Sequence, residues 1–127
     1  MQIDDSAVVA EVAAAFTRYE QALMDNDVAA LTGLFHDDPR TIRYGAAEIL
    51  YGAREIHAFR SARSPAGLAR TLSRTVITTY GRDFAVASTL FHRPSQPGRI
   101  GRQMQTWARL AQGWRIVVAH VSMMDEA

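Results

Sequence analysis

Residues 68–124 read LARTLSRTVITTYGRDFAVASTLFHRPSQPGRIGRQMQTWARLAQGWRIVVAHVSMM. Four runs in this half are rich in β-branched and aromatic residues, and they alternate with polar ones. The connectors between them are short and polar: GRD at 81–83, PSQPG at 94–98 and AQG at 111–113. Alternating runs parted by tight turns predict four strands in an antiparallel meander.

Upstream the period changes from two to about four. Val9, Val12, Phe16, Tyr19 and Leu23 recur at three- and four-residue spacing, so residues from about 6 to 25 predict an amphipathic helix. Asp4, Asp5 and Ser6 offer oxygens to cap it. A shorter helix after Asp27 carries Val28, Leu31, Leu34 and Phe35, and Pro39 stops it at HDDP. RTIRYGAAEILYG then reads as two short extended pieces around a Gly-Ala turn. Gly52 opens a third helix, AREIHAFRSAR, with Ile56, Phe59 and Ala62 on its inner stripe, and SPAG breaks it. The order is helix, helix, short strands, helix, four long strands. A curved sheet wrapped around three helices fits it, an α+β cone of the NTF2-like kind with a pocket between the layers.

At 127 residues the chain has the length of one domain, residues 1–127, able to enclose one pocket. Its 48% hydrophobic and 21% charged residues predict an ordinary globular protein, and a net charge of +1 gives no sign of nucleic-acid binding. No apolar run is long enough to cross a bilayer, and the acidic start MQIDDSAVV lacks the basic character of a secretory signal. The expected compartment is the cytoplasm. The chain has no cysteine, which removes disulfides, thiolate ligands and a cysteine nucleophile. It also has no lysine, so all fourteen basic residues are arginine. Schiff-base and lysine-base chemistry are thereby excluded, and a cationic contact to a substrate must come from arginine or histidine.

Chemistry then concentrates in a few places. In DDPRTIRYG, residues 37–45, Thr41 and Arg43 share one strand side and Ile42 and Tyr44 the other. Arg43 either points to water or enters the cone, where it needs a carboxylate such as Glu48 or an anionic ligand. Tyr19 lies on the buried stripe of the first helix, either as a core tyrosine or with its hydroxyl in the pocket as a weak acid or orienting donor. His120 shares the strand face of Trp114, Ile116, Val118 and Ser122, as pocket lining or as a structural histidine. Gln103, Gln105 and Trp107 share another face, able to donate to a carbonyl-rich substrate or to lie on a dimer surface. Arg60 and Arg63 leave the third helix one turn apart, at the pocket mouth or on a solvated face. No histidine pair has metal-ligand spacing and no G-x-S-x-G elbow is present, so neither a metal nor a serine nucleophile is expected.

Four strings in order, LFHDDPRTIRYGAAEILYGAREIHAFRSAR, TYGRDFAVA, GRQMQTWARL and GWRIVVAHVSMM, resemble the AtzH-like family of NTF2-like proteins, which includes the HpxZ-type proteins of oxalurate catabolism. The similarity runs from about Tyr19 to Met124. It departs from the family at His36, where an aromatic is expected, and at Met104, where a small polar residue is expected in a strand predicted to face the pocket. The resemblance implies a role beside amidases in nitrogen-compound catabolism, with hydrolysis of 1,3-dicarboxyurea to allophanate and loss of carbon dioxide. It also implies functional roles for Tyr19 in RYEQAL and Arg43 in PRTIRYG. The expected set is therefore Tyr19 and Arg43 as catalytic residues, with His120, Gln105, Glu48 and Arg60 around a small anionic substrate and no cofactor. A homodimer through the sheet is expected, since the outer face and edges of such a sheet favour pairing with a second copy. The alternatives are an accessory partner of a neighbouring amidase, and a binding module without chemistry.

Overall fold

The computed structural model describes residues 1–127. Helix α1, Ser6–Met24, begins at Asp5, whose carboxylate accepts the backbone N–H groups of Ala7 and Val8 at 3.0 and 3.3 Å. Such a cap is worth about 1 kcal/mol. Asp4 serves differently, accepting the N–H of Thr79 and tying the N-terminus to the sheet. Helix α2, Val28–Leu34, is capped by Asp27 and stops before Pro39. Strands β1, Ile42–Tyr44, and β2, Ile49–Tyr51, form a small hairpin. Helix α3, Ala53–Ala62, starts at Gly52, whose φ of 89° suits glycine.

The meander follows as β3, Thr71–Tyr80, β4, Phe84–His92, β5, Arg99–Leu110, and β6, Gly113–Asp125. The sheet order is β2-β1-β6-β5-β4-β3, antiparallel throughout except that β1 runs parallel to β6. The chain folds as an α+β domain with three helices against one face of a six-stranded sheet. Phe16, Tyr19 and Leu23 of α1 meet Leu31 and Phe35, and this layer packs on Trp107, Ile116 and Ala119 of the sheet. Each large side chain so buried contributes roughly 1.5–3 kcal/mol. On the first turns of α1 the stripe runs through Val8 rather than Val9.

Two irregularities bend the sheet. In β3 the register slips between Ser73 and Val76, with Arg74 at a φ of 51°. In β6 Thr106 pairs with Val118 while Trp107 pairs with Ile116, so Val117 is an extra residue in the ladder. A bulge of this kind sharpens twist and inverts the alternation beyond it. Trp114 and Ile116 face inward before Val117; Ala119, Val121 and Met123 face inward after it. Uninterrupted alternation puts His120 and Ser122 with Ile116; the bulge turns His120 outward, where it packs edge-on to Tyr44. Met104, directly opposite His120 in the ladder, is likewise outward and 57% exposed, not turned to the pocket.

Candidate functional site

Between α1, α3 and the inner face of the sheet lies a cavity of about 550 Å³. Its walls come from Tyr19 of α1, Arg43 and Glu48 of the hairpin, Arg60 and Arg63 at the end of α3, Arg70, Arg93 and Gln103. The volume suits a small ligand.

Arg43 settles the question left open by its strand. It is 6% exposed and faces inward together with Thr41, while Tyr44 turns to the surface. Its Nη1 donates to Glu48 Oε1 at 2.6 Å, and its guanidinium lies 5.4 Å from the Phe59 ring centre. The hairpin turn makes this pair possible because residue 45 is glycine; a Cβ there would collide with the Glu48 carboxylate. Tyr19 is 2% exposed, with its ring edge-on to Phe35. Its hydroxyl oxygen accepts a hydrogen bond from Arg60 Nη2 at 2.7 Å. A guanidinium has no acceptor, so the tyrosine proton must point elsewhere. Burial pushes the Tyr19 phenol up, but the charges of Arg60, Arg43 and Arg70 outweigh it and hold the phenol below its ordinary value.

Arg60 is 1% exposed, deep in the molecule rather than at the mouth, while Ala62, expected on the inner stripe, is exposed. Burial first, then repulsion from Arg43, holds its guanidinium below the ordinary range. Arg70 is paired twice with the Glu20 carboxylate and donates to Gln103 Oε1 at 3.0 Å. Five guanidinia thus converge with two carboxylates, leaving Arg60, Arg63 and Arg93 with no acidic partner. A region so charged and so shielded from water favours an anion strongly.

Of the six residues expected at the site, Tyr19, Arg43, Glu48 and Arg60 line this cavity. His120 does not reach it, because of the bulge at Val117. Gln105 is buried on the expected face, but its carbonyl accepts the Trp107 indole N–H at 3.1 Å in the core, and Gln103 lines the cavity instead. Sequence reasoning missed Glu20, Arg70 and Arg93. Two of the three carried a signal: Glu20 stands one turn from Phe16 on the buried stripe, and Arg93 two residues past inward Phe91.

Helices packed on the inner face of a bent sheet, around a polar cavity, define an NTF2-like protein. A solved NTF2-like superfamily protein from Salmonella enterica aligns with a TM-score of 0.73 at 27% identity, over 96% of this chain and 93% of its own. The AtzH-like family model matches residues 1–127, and the chain belongs to that family. Two solved structures are more similar still. A protein of unknown function from Pectobacterium atrosepticum is 59% identical, with a TM-score of 0.94 over 97% of this chain and 95% of that one. A cystatin-like fold protein from Burkholderia xenovorans is 48% identical, with a TM-score of 0.96 over 100% and 99%. Comparison with curated proteins gives no match. No helix is long and apolar enough to cross a membrane.

Proposed function

We propose that the protein is a cofactor-independent hydrolase of N-carboxylated ureas, converting 1,3-dicarboxyurea to allophanate with loss of carbon dioxide. The observation that carries this is the Tyr19 hydroxyl, which accepts from Arg60 and so keeps its own proton for the cavity that Arg43 also faces. Arg43 grips a substrate carboxylate in its planar fork. Because Glu48 already offsets part of its charge, the grip orients the substrate more than it holds it back. The bond between the urea nitrogen and the carboxylate carbon breaks with its electron pair staying on nitrogen. Tyr19 gives that nitrogen its proton, carbon dioxide departs, and the phenolate left behind is stabilised by Arg60 until water restores the proton.

A purified preparation tested against dicarboxyurea, oxalurate and allophanate, with and without the cognate amidase, is the check. Dicarboxyurea alone should be consumed, without the amidase, and Arg43→Ala should abolish its turnover. No turnover alone, with a stable complex on gel filtration with the amidase, would replace the hydrolase by an accessory partner. A rise in melting temperature with an acidic metabolite that is never consumed would leave a binding module.

A further inference from the structure

Arg63 and Arg93 take no part in the chemistry just described, yet both are built into the cavity. Arg63 follows the last residue of α3 and Arg93 follows the last residue of β4, so they enter from different walls. Each is braced on a phenyl ring: Arg63 lies 5.7 Å from the centre of Phe59, and Arg93 4.8 Å from that of Phe91. The same rings carry the deeper guanidinia, Arg43 on Phe59 and Arg70 on Phe91. Each ring therefore holds a pair of guanidinia, one buried and one half-buried.

The buried arginine of each pair has a carboxylate, Glu48 or Glu20, and the half-buried one has none. The Nε and Nη2 of Arg63 and the Nε of Arg93 are buried without any hydrogen-bond partner. Burial holds both guanidinia below the ordinary range, Arg63 at about 10, with further repulsion from Arg60 on Arg63 and from Arg70 on Arg93. Neither guanidinium donates to any protein group, so the nitrogens of Arg63 and Arg93 that keep contact with the cavity take their acceptors from water or a ligand. A carboxylate supplies them in the right plane.

Resting on the reading of this cavity as a site for a dicarboxylated urea, we propose that Arg63 and Arg93 form a second carboxylate subsite. It holds the end of the substrate that does not react and makes the cavity selective for dianions over monoanions. Arg63 and Arg93 are thus specificity residues, distinct from the reacting end at Tyr19, Arg60 and Arg43.

Calorimetric titration with glutarate and glutaramate tests this. Glutarate has the five-atom dicarboxylate backbone of dicarboxyurea but no nitrogen to protonate; glutaramate replaces one carboxylate by a neutral amide. The wild type should prefer glutarate by roughly tenfold or more, the worth of a charge-assisted contact. Arg63→Gln and Arg93→Gln, with folding verified by circular dichroism, should each collapse that preference while glutaramate binding persists. No preference in the wild type, no effect of either substitution, or equal loss for both ligands would overturn the subsite. Turnover of dicarboxyurea measured beside it separates the two claims. Turnover without dianion preference removes the subsite and leaves the hydrolase, and dianion preference without turnover does the reverse.

Discussion

Tyr19 has two opposing influences on its proton. Burial favours the neutral phenol, and three nearby guanidinia favour the phenolate, which wins enough to bring the group below 10. The sign matters for an acid: below its pKa the proton is present for donation, and above it the proton is gone. Activity should therefore fall on an alkaline limb that begins under pH 10. Tyrosinate absorbance gives an independent reading. The wild type should show a tyrosinate component that titrates below the ordinary tyrosine value, and that component should vanish in Tyr19→Phe. Tyr44, bonded to Tyr51, is pushed the other way and will not confuse it. A titration curve unchanged by Tyr19→Phe below the ordinary tyrosine value would contradict these electrostatics. At this scale the sequence carried Tyr19 on the buried stripe but left Arg43 facing either way. A three-residue strand has too little alternation to choose a side, and what decides is the partner Glu48 and the space beyond it. Arg60 was hidden for a related reason: a guanidinium on a helix ordinarily reads as solvated, and what Arg60 meets, the Tyr19 hydroxyl and the Phe35 ring, lies far away in sequence.

Strands place the rest of the site, and their irregularities determine what enters it. The bulge at Val117 could not be read from WRIVVAHV, because an inserted residue among β-branched neighbours leaves the composition of the run unchanged. Its effect is large: one extra residue exchanges His120 for Val121 at the cavity wall. By contrast, the bounds of β5, Arg99–Leu110, coincide with the run read between PSQPG and AQG, since both turns carry strong breakers. Opposite Phe91 in the ladder stands Gly101, and a Cβ there would sit inside the Phe91 ring. Gly101→Ala should destabilise the fold by about 1–3 kcal/mol through overpacking. It should also displace the ring that braces Arg70 and Arg93, weakening the binding of anions. Urea unfolding and anion titration read the two effects separately; a variant unchanged in both would show that the ring moves freely.

Over the whole molecule, the outer face of the sheet keeps large apolar groups in contact with water. Met104, Val118 and Val76 are exposed there, with Tyr44 and Tyr51 at one end. Apolar groups along one row of the outer face, with only Ser88 and His120 between them, favour pairing with a second copy. Dimers are expected at micromolar concentration by analytical ultracentrifugation, and Met104→Glu, remote from the cavity, should convert them to monomers. A wild-type monomer would contradict this. The architecture itself was legible from element order, because four alternating runs with short turns after three helices leave few ways to bury the apolar faces. The electrostatics of the cavity were not, since five arginines spread from residue 43 to residue 93 meet only after folding.

In this mechanism Tyr19 supplies a proton to a substrate held by arginines. The most direct measurement is kcat for dicarboxyurea in the wild type and in Tyr19→Phe, with the melting temperature of each recorded. Removing one hydroxyl should lower kcat by about a hundredfold or more while the fold and the binding of inert dicarboxylates survive. A Tyr19→Phe enzyme that turns over dicarboxyurea at the wild-type rate would contradict the account.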